Sequence, residues 1–261
     1  MELDLPEPFT QKLARSPLKL VVCQVRHDHN VAAADPKRAL KIHEALSEEY
    51  SLLDQQSSQE LAISAGFGGL QALPVQPTAQ GWRLRTPDAA WTVLLMPDFF
   101  ALETTAYEDW KDFRGRIGRL IDAVVVSTDP SVEQRLGLRM IDRITHPSVK
   151  EPDDWVGLID DLIAGPIAHP LLGPGVSGTQ QIFQVDAGDG RSAIVRHGAY
   201  RDANSMNEHV YMLDHDCYVQ RSRSFDGVDA LDQIESLHTL ALQLFQAAIT
   251  PKLYKYLRRR R

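Results

Sequence analysis

Between Gln134 and Ile144 the chain reads QRLGLRMIDRI, and no other stretch limits the fold so sharply. Leu136, Leu138 and Met140 take alternate positions, while Arg135, Arg139 and Arg143 recur every fourth residue. Successive side chains of a strand point to opposite faces. An extended backbone therefore sends the leucines and Met140 one way and the three arginines the other, beside Gly137 and Ile141. Such a strand needs helices over one face and carries a positive row on the opposite side.

Strands and amphipathic helices alternate before it. LKLVVCQVRH, Leu18 to His27, is β-branched and apolar, as a buried strand should be. Asp35 and Pro36 supply an N-cap and a first-turn proline, and Leu40, His43, Leu46 and Tyr50 follow as a helical stripe. After a polar, glutamine-rich passage and a glycine-rich one, WRLRTP, AWTVLLMP and FFALETT read as three strands with turns at Pro87-Asp88 and Pro97-Asp98. Thr105 and Glu108 have capping-box spacing, and Trp110, Phe113, Ile117, Leu120 and Val124 form the face of the next helix.

The order then restarts. QRLGLRMIDRI is a strand, DDWVGLIDDLIAG a short helix bearing Trp155, Leu158, Ile159 and Leu162, and His169 to Thr179 a proline- and glycine-rich loop. A hairpin turns around Asp186 to Gly190, EHVYMLDHDCYVQRS is a long strand, and Asp229 to Ile249 closes with a helix of 3.6-residue period. The expected fold is α+β: a curved antiparallel sheet with helices on one face, in two pseudo-repeats of strand, helix, strands, helix. Residues 1–16 form an arm, 17–130 and 131–250 the two halves, and 251–261 a basic tail. That element order resembles the two-fold fold of the TATA-binding protein, although no residue-level repeat accompanies it. A layered helix-and-sheet domain without the two-fold is the alternative.

Charge and composition narrow the partners. The net charge is −7, and the last eleven residues, PKLYKYLRRRR, hold six positive charges and no acid, which leaves −13 on the rest. An acidic body does not attract nucleic acid in bulk, so any such binding requires a local cationic patch. For the tail, with Arg258, Arg259, Arg260 and Arg261, the readings are a solvated helix end favoured by the helix dipole or a contact with an anionic partner. The N-terminus, MELDLPEPFTQKLARSP, lacks an apolar core and is expected to be neither signal peptide nor anchor, and no apolar run is long enough for a bilayer. Two cysteines, Cys23 and Cys217, make no disulfide framework, which points to a reducing cytoplasm.

Several segments together carry a resemblance: Pro17-Leu18 with Val25-Arg26; Tyr107, Trp110 and Phe113; Arg135 through Ile144; Leu213-Asp214 with Asp216; and Leu237-His238 through Phe245 to Ile249-Thr250. On these the chain is similar to a sporadically distributed family of uncharacterised bacterial proteins of about this length. The specific part is the Arg-x-Gly-Leu-Arg core. Met140 and Asp142 stand where an aromatic residue and an asparagine are typical of that family. The resemblance implies no assigned catalytic residues, and a mobile-element, toxin-antitoxin or defence setting.

Local motifs for chemistry are weak. His27 and His29 could share a strand face as metal ligands, but no third ligand is evident. Asp214 and Asp216 in LDHDCY fall on one strand face, as a divalent-cation or acid/base pair requires, yet Val210, Met212 and Tyr218 share it. GFGGL at Gly66 has Gln71 where a dinucleotide fingerprint needs its last glycine, and GVSG at Gly175 lacks the spacing of a nucleophile elbow. No catalytic, metal or cofactor residue is assigned. The arginine row remains, with Asp214 and Asp216 expected beside it as internal counter-ions, and Arg196, Tyr200 and Tyr218 on the same side. Internal pairing, a protein partner and nucleic acid are the three readings of that face. The favoured function is a non-catalytic module that engages a partner protein, with self-association as one form. Nucleic-acid binding through the arginine face and tail, and a metal-dependent enzyme on Asp214 and Asp216, are the alternatives.

Overall fold

A computed structural model describes residues 3, 5–29, 35–57, 80–202 and 208–259. Nine strands and five α-helices occur among them. The strands are β1 (Leu18–His27), β2 (Leu52–Ser57), β3 (Gln80–Arg85), β4 (Trp91–Met96), β5 (Phe99–Thr104), β6 (Val132–Ile144), β7 (Gln181–Gly188), β8 (Arg191–Asp202) and β9 (Glu208–Ser224). The helices are α1 (Pro36–Leu46), α2 (Trp110–Thr128), α3 (Asp161–Ala164), α4 (Gly227–Ala248) and α5 (Pro251–Arg258). The strands join one antiparallel sheet in the order β2-β3-β4-β5-β1-β6-β9-β8-β7. The Asp28 amide donates to the Val132 carbonyl at one end of the β1–β6 pair, and the Arg143 amide to the Pro17 carbonyl at the other, so these strands also run in opposite directions.

The chain divides into two compact units. One comprises residues 20–138 and 218–236. Here register aligns a row of side chains across four strands: Leu84 opposite Val93, Val93 opposite Leu102, and Leu102 opposite Cys23, all fully buried. Cross-strand pairs of this kind are the unit of sheet stabilisation. α2 contributes Phe113, Ile117, Leu120 and Val124, with Phe113 meeting the Trp91 ring at 5.9 Å. The other unit comprises residues 1–19, 139–217 and 237–261. Trp155, Leu158, Ile159, Tyr211, Leu213, Phe245, Leu253 and Leu257 build its core. The β7–β8 hairpin in this unit turns at Asp189 and Gly190, both at positive φ, the type I′ arrangement that matches strand twist.

Several local expectations are corrected. α1 buries Ala39, Ile42 and Leu46, while Leu40 is exposed and Tyr50 lies beyond the helix end. α2 starts after Asp109, whose carboxylate accepts the Asp112 amide at 2.9 Å, so the Thr105–Glu108 pair is not its cap. A carboxylate next to the first turn satisfies a free amide directly, and that local bond decides where the helix begins. The helix expected over DDWVGLIDDLIAG is a 3₁₀ turn at Pro152–Trp155 and a single α-turn at α3, separated by Gly157 at φ 75°. Trp155, Leu158 and Ile159 are buried there, but Leu162 is 90% exposed. β2 is a further strand that its polar composition hid: LLDQQS pairs with β3 along its whole length, and Gln55 donates to Gln80 at 3.2 Å. Most of the glutamine- and glycine-rich passage, including Gly66, lies outside the described residues.

Residues 251–258 are a helix with its own cap, not the frayed end of α4. The Thr250 hydroxyl accepts the Leu253 amide and also donates to the Gly157 carbonyl at 2.8 Å. Leu253 and Leu257 sit in the core beside Trp155. Leu253→Ala should therefore cost about 2–5 kcal/mol of unfolding free energy in denaturant titration. A loss below about 0.5 kcal/mol would mean that α5 is not docked.

Candidate functional site

Two arginines of the row, Arg139 and Arg143, meet carboxylates supplied by other strands. Arg139 binds Asp214 with both arms of its guanidinium, Nε to Oδ1 at 2.8 Å and Nη2 to Oδ2 at 2.7 Å. Arg196 approaches the same carboxylate at 3.7 Å. The Asp214 side chain has no solvent exposure, although it lies on the face opposite Leu213 and Tyr211. The fork geometry makes this a strong, directional contact, and the hydrogen bonds to Asp214 lift the Arg139 pKa further. Arg143 pairs with Asp202 at 2.7 Å and Glu208 at 3.1 Å. Beside it, burial is the main cause that pushes the Tyr200 phenol up.

Arg135 makes a different contact. Its guanidinium lies 4.7 Å from the centre of the Tyr218 ring, a cation–π geometry. A side chain at Gly137 would meet Arg135 Nη1 at 2.6 Å, so the glycine of the Arg-x-Gly-Leu-Arg core leaves the space in which this guanidinium lies. Further members carry no signal in the sequence. Glu133, 1% exposed, receives both arms of Arg223, and Arg223 also pairs with Asp229 in the first turn of α4. Asp202 ends β8 and Glu208 begins β9, and neither carries a periodic signal. Each of these ties depends on which strands are neighbours, and local spacing is silent on that.

The remaining site residues are distributed as follows. Asp216 lies near Arg139 and contributes to its electrostatics. Arg258 stands over the Tyr254 ring at 5.6 Å, Arg259 caps α5, and Arg260 and Arg261 lie outside the described residues. Arg85 pairs with Asp54 of β2. His27 is buried among Ile42, Leu95, Phe100 and Val124, whereas His29 is exposed past the strand end, so the two do not form a ligand pair. Among the described residues no group of three or more His, Cys, Asp or Glu is placed to hold a metal ion. No helix among them is long and apolar enough to cross a membrane.

On the opposite face lies a set of buried titratable groups. His197 and His215 are each about 1% exposed, and burial draws both imidazoles down to about 4. His197 shares a 2.9 Å hydrogen bond with the Tyr211 hydroxyl, while neither ring nitrogen of His215 has a hydrogen-bond partner among the described residues. Burial pushes the Cys23 thiol up to about 12 and raises that of Cys217 as well, so neither is an activated nucleophile. Asp142, in alternation with Met140 and Ile144, is 6% exposed, and burial pushes its carboxyl up to about 7 against the opposing pull of Lys19.

No protein-family model matches the chain, and no curated protein matches it.

Two predictions come from these environments. Arg139→Ala leaves a buried carboxylate without its main partner and should cost about 3–5 kcal/mol in chemical denaturation, whereas exposed Arg258→Ala should cost no more than about 1 kcal/mol. Comparable losses would show that Asp214 is not held by this fork. The folded chain also retains the Asp142 proton more tightly than the unfolded chain. Its contribution is intact below pH 3.8 and is lost as pH rises to about 7. Asp142→Asn should therefore raise the Tm relative to wild type at pH 8, with the difference vanishing near pH 4; an unchanged Tm at pH 8 would place Asp142 in a solvated setting.

Proposed function

We propose that the chain is a non-catalytic binding module whose arginine-bearing sheet face engages a partner protein. The observation that carries this reading is the state of the arginines. Arg139, Arg143 and Arg196 reach carboxylates of the chain itself, so these three are paired and held in position. A phosphate backbone would have to displace those carboxylates, whereas a protein surface can use the outer donors of guanidinium groups already held in place. Around them stand half-buried Ile141, Tyr200 and Met212. Arginine, tyrosine and methionine are the residues enriched in protein interfaces, and pre-organised arginine and tyrosine often dominate their energetics.

The same proposal takes the chain as an internal duplication resembling the TATA-binding protein in element order. The strand order supports it: β1 lies beside β5, the last strand before α2, and β6 lies beside β9, the last strand before α4, with β1 and β6 adjacent. Among the described residues the second half has one strand fewer.

Affinity capture from nuclease-treated lysate of the source organism tests the function, with wild type compared to Arg196→Ala/Tyr200→Ala. A defined protein retained by wild type and lost by the variant is the expected result. Identical protein recovery from the two would overturn the reading.

A further inference from the structure

The C-terminal helix belongs to a second cationic surface, formed entirely within the unit of residues 1–19, 139–217 and 237–261. Two segments distant in sequence bring a basic side chain to the ring of Tyr256, and Lys252 acts on one of them. Arg15, from the N-terminal segment, lies 4.4 Å above it and is fixed by its own amide, which donates to the Leu257 carbonyl, and by Nη1, which donates to the Tyr256 carbonyl, both at 2.9 Å. His146, just past β6, meets the ring edge at 4.3 Å and is oriented by a 2.8 Å contact between Nδ1 and the Ser148 hydroxyl. Lys252 arrives on α5, and burial followed by the charges of Lys252 and Arg15 holds the His146 imidazole below its usual range.

This cluster differs from the arginines on the sheet. Arg139, Arg143 and Arg223 each have carboxylate partners. Among the described residues, Arg15, Lys252, Lys255 and Arg259 have none. Lys252 and Lys255 lie at i and i+3 on α5 and Arg259 is the residue that caps its end, and at 1.5 Å per residue the three span about 10 Å. Leu253 and Leu257 anchor the opposite side in the core. The cations are therefore held at fixed spacing by buried neighbours, on a chain whose remainder is acidic.

We propose that Arg15, His146, Lys252, Lys255 and Arg259 form a binding site for the phosphodiester backbone of a nucleic-acid strand. Spacing and charge favour this occupant. A row about 10 Å long can face two or three successive phosphates, and unneutralised cations gain by releasing the counterions that such a strand carries. One face of Tyr256 already holds Arg15, so the site reads backbone and not base, and little sequence preference is expected. The site is separate from the arginine face and independent of its proposed partner.

Fluorescence anisotropy with a labelled, mixed-sequence single-stranded DNA tests it on the full chain across a salt series. Wild type should bind with salt-steep affinity. Lys252→Gln/Lys255→Gln/Arg259→Gln changes only exposed side chains and should reduce the slope of log K against log salt by about two, from about 0.7 per phosphate neutralised. The Arg196→Ala/Tyr200→Ala chain should bind as wild type does, which separates this site from the sheet face. Absence of binding at low salt, an unchanged slope in the triple variant, or equal competition by polyglutamate would each overturn the proposal.

Discussion

A carboxylate without solvent exposure, Asp214, is the constraint around which the arginine face is organised. Removing a charge from water is costly unless the protein replaces the lost hydration, and two hydrogen bonds from Arg139 do so, with Arg196 close by. The pairing ties β6 to β9 and brings β8 alongside, so the order of three strands and the state of the arginines are set together. It also changes what the face can bind. A guanidinium that already faces a carboxylate offers its outer edge and little net charge, which is the basis of the proposal that this face engages a protein surface.

The helix-covered side carries an opposing load. His197, His215 and Asp142 are polar groups placed among aliphatic and aromatic side chains, and each is driven by burial toward its neutral form. For the histidines, whose folded pKa is depressed, stability is present above pH 6.5 and is lost as pH falls toward 4. Asp142 acts in the reverse sense. Stability near neutrality is thus a balance between groups that must stay deprotonated and one that must stay protonated.

Legibility followed the range of the interaction responsible. β6 was readable because its alternation of leucine and arginine is local, and β3, β4 and β5 because Pro-Asp turns bound short apolar runs. The β7–β8 hairpin was readable because Asp-Gly accepts two positive φ angles. β2 was hidden because its polar residues, LLDQQS, are held by the β3 ladder and not by an apolar face. Leu162 misled because helical spacing was carried past Gly157, where the backbone turns to positive φ and the helical face ends. The tail looked solvated because its cations dominate the sequence, while Leu253 and Leu257, the two residues that dock it, are diluted among them.

By itself the sequence determined the secondary elements that rest on periodicity, the sidedness of β6, and the concentration of positive charge at the C-terminus. These depend on residues within a turn or two of one another, and a strand or helix imposes them wherever it sits. Only the tertiary structure decided which carboxylate each arginine meets, that Glu133 joins Arg223, and that Arg15 and His146 converge on one tyrosine. Those contacts join segments up to 241 positions apart, as Arg15 and Tyr256 are. Periodicity carries no record of them, because strand order and helix docking are fixed by burial of the whole core and not by any local spacing.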